Sequence, residues 1–158
     1  MSSAAPEPAP AAVPARPLTA QEEAVVRALP HLVHALPRAV DGDMVRERRL
    51  TLTEYLTLMH LSEAPDRRLR MGDLAGVCGI SLSGATRVVH RLESEGCVRR
   101  VRCGEDGRGR HAALTDAGLA RLESAWQAHL AAVRRHLLDH LAGLDLRTLA
   151  TAFQDIAT

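Results

Sequence analysis

The sequence predicts a mainly α-helical chain with one small β-hairpin, and three observations lead there. Apolar residues recur at steps of three and four over most of residues 18–158, which is the helical period. A single stretch, residues 97–114, breaks that period with two short β-like runs around a turn-rich segment. Only Tyr55, Trp126 and Phe153 are aromatic, so the core must be built from Leu, Val and Ala, which favours helices.

Taken in order, residues 1–17 hold five Pro and six Ala, a composition that prevents regular helix and buries little surface, and they read as a tail. Thr19 with Glu22 three residues on forms a capping box that starts the first helix. Its apolar face is Val25, Val26, Leu29, Leu32, Val33, Leu36 and Val40. Pro30 and Pro37 lie inside it, so a kink or break is expected there. A second helix follows a Thr51 or Thr53 cap, carries Leu52, Tyr55, Leu56, Met59 and His60, and ends before Ala64-Pro65-Asp66. A third spans Met71 to Val77, and Cys78-Gly79-Ile80-Ser81 makes the turn. The fourth, Leu82 to Glu95, turns Leu82, Ala85, Val88, Val89 and Leu92 inward and Ser83, Gly84, Arg87, His90 and Arg91 outward, and Gly96 stops it. Strands over 97–103 and 110–114 flank the turn at 104–109. Thr115 caps a long helix with the stripe Leu119, Leu122, Trp126, Leu130, Val133, Leu137 and Leu141. After a break at Gly143, a last helix carries Leu146, Leu149, Ala150, Phe153 and Ile156.

At 158 residues the chain fits one domain, or one small domain with an oligomerisation element. All 20 basic residues are Arg, a bias that a GC-rich genome also produces, but Arg presents a planar fork to phosphates and guanine edges. The net charge of +1 says nothing about partners. Its distribution does: residues 66–111 hold ten Arg against six acids, an excess of four, so the positive charge concentrates in the middle third. The start lacks a basic segment followed by an apolar run, and no stretch is long and apolar enough for a membrane span, so a cytoplasmic location with no membrane partner is expected. No Gly-rich phosphate loop, nucleophile elbow, H-E-x-x-H or usefully spaced carboxylate pair occurs, so no enzyme is expected.

Two helices joined by a tight turn and followed by a charged hairpin give the order of a winged helix-turn-helix, whose second helix lies in the DNA major groove. Ser83 and Gly84 near its start can approach bases and backbone closely, and Arg87 can reach a guanine edge or a phosphate. Arg91 projects from the same side, or is tied into an intramolecular ion pair. Ser81, Thr86, His90 and Arg110 complete the candidate DNA-facing set. Arg108 in the hairpin is a candidate for the minor groove, and Asp106 for holding it in position. The same order of elements also suits a winged-helix module that binds protein, against which the Arg concentration argues.

The run from Ile80 to Arg100, then Asp106-Gly107-Arg108-Gly109-Arg110-His111-Ala112-Ala113-Leu114-Thr115-Asp116-Ala117-Gly118, resembles the multiple antibiotic resistance regulator (MarR) family. It matches, in register, a "TR-x-x-x-RLE-x-x-G-x-V-x-R" helix and a "D-x-R-x-x-x-x-x-LT-x-x-G" wing. His90 departs from the family's usual Asp and Cys97 from its usual Leu. The resemblance implies a MarR-like domain over 18–158, with dimerisation helices at 18–48 and 116–158 around a winged helix-turn-helix at 51–115. It implies a homodimeric regulator, acting as a repressor on pseudo-palindromic double-stranded promoter DNA. It also implies release by a small-molecule effector, for which Arg46, Tyr55, His60 and Arg70 could line a pocket. No cofactor is required. Independently of the family, the terminal helices carry more apolar surface than one short chain readily hides.

Eight His are present, and His136 and His140 stand one helical turn apart, a spacing that can chelate zinc, with His31 and His34 as further ligands across a dimer. A solvated helix end, where His suits the dipole, is the alternative, and a zinc-responsive regulator the functional variant. Cys78 and Cys97 sit at apolar positions as small core residues, which leaves Cys103, beside Arg102, as the only candidate redox thiol.

Overall fold

The structure is a computed structural model that describes residues 16–103 and 109–157, with side chains left out at 102, 103 and 109. The chain divides into two compact units, residues 1–33 and 34–158. Asp106 and Arg108 lie outside the described residues, as does the Cys103 side chain.

Helix α1, Ala20–Arg48, begins in the first unit. Thr19 and Glu22 form the expected capping box: the Thr19 N–H donates to Glu22 Oε2 at 2.7 Å and the Glu22 N–H to Thr19 Oγ1 at 3.3 Å. The helix passes Pro30 and Pro37 without the expected break. Each proline removes one backbone hydrogen bond, but the carbonyls freed, on Val26 and Val33, belong to exposed residues that water can serve. Of the apolar face read from the sequence, Val40 is buried and Leu36 half-buried, while the others are exposed.

The second unit holds one core. Met44 from the end of α1, Leu50, Tyr55, Leu58 and Leu61 around α2 (Leu52–Glu63), and Leu74 from α3 (Met71–Val77) meet Val89 and Leu92 of α4 (Leu82–Ser94). Burying side chains of this size stabilises the fold by about 1.5–3 kcal/mol each. Helix α2 is capped by Thr51, with Glu54 completing the box. Gly96 takes φ 73°, a left-handed conformation that ends α4 without strain.

The sheet has three strands in the order β1-β3-β2, all antiparallel: β1 (Arg68–Arg70), β2 (Val98–Cys103) and β3 (Gly109–Leu114). Strand β1 was not expected. Arg-Leu-Arg has neither length nor apolar alternation, and it exists through pairing, with Arg68 opposite Ala113 and Arg70 opposite His111.

Helix α5, Asp116–His136, divides the expected stripe between this chain's core and its surface. Its buried residues are Gly118, Leu122, Ala125, Ala128 and Ala132, whereas Trp126 is 47% and Leu130 36% exposed. The small residues let α5 approach α2 closely, while Leu122 joins the core and Trp126 and Leu130 are turned out of it. A 3-10 turn, Leu138–Leu141, and Gly143 at φ 93° lead to α6, Leu146–Ala157, which buries none of its residues. Among the described residues no helix is long and apolar enough to cross a membrane.

Candidate nucleic-acid interface

Helix α4 is built to show one face. Ser81 caps it, its Oγ accepting the Gly84 N–H at 3.1 Å and lying 3.0 Å from Ser83 Oγ. A Cβ on Gly84 would come 3.3 Å from the capping Oγ, so the bare backbone there keeps the first turn thin. Ala85, Val89 and Leu92 face the core. Ser81, Ser83, Thr86, Arg87, His90 and Arg91 are exposed, and Gly84 is half-buried. Leu82, expected inward, is 57% exposed, because burial of α4 begins one turn later at Ala85. The Thr86 hydroxyl donates back to the Leu82 carbonyl at 2.9 Å.

The two arginines of this face differ. Arg87 has no intramolecular partner among the described residues. Arg91 is tied to the buried Glu54 of α2, Nε to Oε1 at 2.8 Å, and lies 3.5 Å from Glu95. The ion-pair alternative left open by the sequence is thus realised. Strand β2 adds a second brace: Arg100 donates through its backbone N–H to Glu93 Oε1 and through Nη2 to the Thr86 carbonyl, both at 3.3 Å. Arg70, Arg99 and Arg110 are exposed and likewise without ion pairs among the described residues.

The join between wing and α5 is equally specific. Thr115 caps α5 by accepting the Gly118 N–H at 3.0 Å, while its own hydroxyl faces the Gly96 and Cys97 carbonyls at 2.7 and 3.0 Å. A Cβ on Gly118 would fall 2.0 Å from the Cys97 carbonyl oxygen, so only glycine fits. These contacts seat the strand-to-helix corner directly on the end of α4.

The sequence profile of the MarR family matches residues 50–109. Among solved structures, Sco3205 of Streptomyces coelicolor, a MarR family transcriptional regulator in complex with DNA, shares 35% identity over 89% of this chain and 91% of its own, with a TM-score of 0.79. AbsC, another MarR family regulator of that organism, shares 36% identity over 90% of this chain and 96% of its own, with a TM-score of 0.77. The chain belongs to the MarR family. The transcriptional regulator BldR of Sulfolobus solfataricus, at 20% identity, covers 87% of this chain and 94% of its own with a TM-score of 0.74 and shares the fold. Among curated proteins, none matches the chain significantly. The MarR-type Thr-x-x-Gly at the wing's end thereby gains a physical reason: the threonine caps α5 and the glycine admits a carbonyl.

The expected effector residues do not converge. Tyr55 is fully buried, stacked on His129 of α5 with ring centroids 4.3 Å apart. Burial pushes the Tyr55 hydroxyl up, with a smaller push from the Glu63 charge, and burial pushes the His129 imidazole down. Tyr55 Oη and His129 Nδ1 are both buried and have no hydrogen-bond partner among the described residues. Arg46 is paired with Asp43, and His60 is half-buried on α2. Arg70 lines an open concavity of about 310 Å³ together with Arg68, Leu69, Asp73 and His111, and the other three are not part of it.

The histidine pair is divided as well. His136 ends α5 with its Nε2 2.9 Å from Asp43 Oδ2, while His140 lies in the following 3-10 turn, so the two do not stand one turn apart on a single α-helix. Arg135 binds the same Asp43 oxygen at 2.7 Å. The hydrogen bond from His136, with Arg46 and Arg135 nearby, holds the Asp43 carboxyl below its ordinary value against the opposing effect of burial. Among the described residues no three His, Cys, Asp or Glu side chains are grouped to hold a metal. Cys97 is buried and Cys78 half-buried, and burial pushes both thiols up, away from reactive thiolate.

Proposed function

We propose that the chain is a dimeric, sequence-specific DNA-binding repressor that places α4 in the major groove of pseudo-palindromic promoter sites and its wing in the flanking minor groove. The observation that carries this is Arg87: an exposed guanidinium with no intramolecular partner among the described residues, beside Ser81, Ser83, Gly84 and Thr86 on a helix whose opposite face is core. A fork held free at that position suits the paired acceptors of guanine. His90 and Arg110 serve the backbone, Arg108 reaches the minor groove, and Asp106 orients it. Exposed Leu82 offers apolar contact to a thymine methyl. The solved DNA complex of Sco3205 supports the same use of this fold.

Pairing is supported by apolar surface that each unit leaves uncovered. Leu18, Val25, Val26, Leu29 and Leu32 are 41–67% exposed in the first unit, and Leu146, Phe153 and Ile156 are 49–81% exposed in the second. Single exposed Leu or Val residues need no explanation, but helices with this many need a partner, and a second copy makes the two-fold assembly that a palindrome requires. Half-sites then lie about 10 bp apart. Release by a small anionic ligand is part of the same proposal, with the Arg70 concavity as its place. Fluorescence anisotropy of the purified chain on duplexes from its own upstream region, against random duplexes, tests the function. Preference for one duplex by about 10³-fold or more is expected, and equal binding to all would contradict it.

A further inference from the structure

We infer that Glu54 and Arg91 form a positioning pair that sets the pitch of the recognition helix, so that Arg87 reads DNA while Arg91, one turn further on, does not. The inference rests on the proposed DNA-binding function of α4. Glu54 is unusual among the acids of this chain. Its side chain is only 4% exposed, and its two oxygens have separate duties: Oε2 accepts the Thr51 N–H at 2.8 Å to close the cap of α2, and Oε1 meets Arg91 Nε at 2.8 Å. A buried carboxylate without a cation is strongly unfavourable, and Arg91 is its one ion-pair partner among the described residues. The contact joins elements 37 positions apart in sequence, and it fixes the C-terminal half of α4 to the start of α2. The next residue, Tyr55, stacks on His129 of α5, so one turn of α2 ties both α4 and α5. From the other flank, Arg100 grips the middle and end of α4 through the Thr86 carbonyl and Glu93. Helix α4 is therefore clamped at both flanks with Arg87 left free between the clamps, and the charge of Arg91 is compensated before DNA arrives.

The pair can be separated from a phosphate contact because the two make opposite demands. A phosphate-binding Arg91 would add one counterion to the salt dependence of binding, and neutralising Glu54 would strengthen its hold on every duplex. A positioning Arg91 contributes to discrimination alone. The full chain and its Glu54→Gln, Arg91→Ala, Arg91→Lys and doubly substituted Glu54→Gln/Arg91→Ala forms are titrated on a preferred and a random duplex across a salt series. Urea unfolding confirms that each is folded at the assay temperature, and Gln at position 54 can still close the Thr51 cap. Both Glu54→Gln and Arg91→Ala should lower the preferred-to-random affinity ratio by about tenfold. Random-duplex affinity and salt slope should stay within error, the double variant should lose no more than either single one, and Lys should restore most of the ratio. If Arg91→Ala weakens both duplexes alike and lowers the salt slope by about one, or Glu54→Gln leaves the ratio unchanged, the positioning role is overturned. If the unsubstituted chain shows no preference at all, it is the DNA-binding function that fails, which is a different result.

Discussion

Gly118→Ala is a small change with a large expected cost. The added Cβ would lie 2.0 Å from the Cys97 carbonyl oxygen, 2.9 Å from its carbon and 2.7 Å from Leu114 Cδ1. Leucine can rotate away, but a carbonyl in the chain leaving α4 cannot. Restoring even 3.0 Å to the oxygen requires α5 and that backbone to part by at least about 1 Å. The Thr115 hydroxyl bonds to Gly96 and Cys97, at 2.7 and 3.0 Å, would stretch beyond hydrogen-bond length. Overpacking of this kind costs about 1–3 kcal/mol. Losing that shared hydroxyl hydrogen bond adds about 1 kcal/mol. The sum, about 2–4 kcal/mol, should appear in urea unfolding followed by circular dichroism at fixed protein concentration, which matters if the folded form is a dimer. A loss below about 0.5 kcal/mol would refute the close approach of α5 to Cys97.

Two further outcomes follow from the exposed faces and the buried imidazole. Phe153→Asp combined with Ile156→Asp should convert a dimer to a monomer in analytical ultracentrifugation and abolish binding to a two-half-site duplex, since both side chains are exposed in the single chain and their replacement leaves its core intact. His129 is held below its ordinary value of 6.5 by burial, so the unfolded chain takes up its proton first and stability should fall as pH drops below about 6.5. That component should vanish in His129→Phe, which keeps a ring against Tyr55, and an unchanged pH profile would show that the imidazole is not buried as described.

Local signals in the sequence carried most of the fold. Helix α3 spans Met71–Val77 as expected, the Thr19-Glu22 box caps α1, and of the two threonines the sequence offered it is Thr51 that caps α2, because capping chemistry is complete within four residues. Features set by pairing or by depth were not legible. Strand β1 exists only because β3 lies beside it, and α5 buries its alanines while Trp126 stays exposed, a choice made by helix spacing and not by hydrophobicity. For the interface, the exposed face of α4 was readable from period alone, except Leu82, where the first turn projects past the core. Glu54 and Arg100 were missed because their partners lie on other elements. Gly118 was visible as a motif position, but its reason, a carbonyl where a Cβ would be, required the structure.

The measurement that tests the central claim most directly is the affinity of Arg87→Ala relative to the unsubstituted chain, on a preferred and a random duplex at one salt concentration. Arg87 is exposed and unpaired among the described residues, so its removal should leave stability within about 0.5 kcal/mol. Loss of about 1–3 kcal/mol on the preferred duplex, with relaxed choice at one base position and a much smaller loss on random DNA, is the predicted result. Equal loss on both duplexes, or none on either, would contradict the assignment of α4 as the helix that reads the sequence.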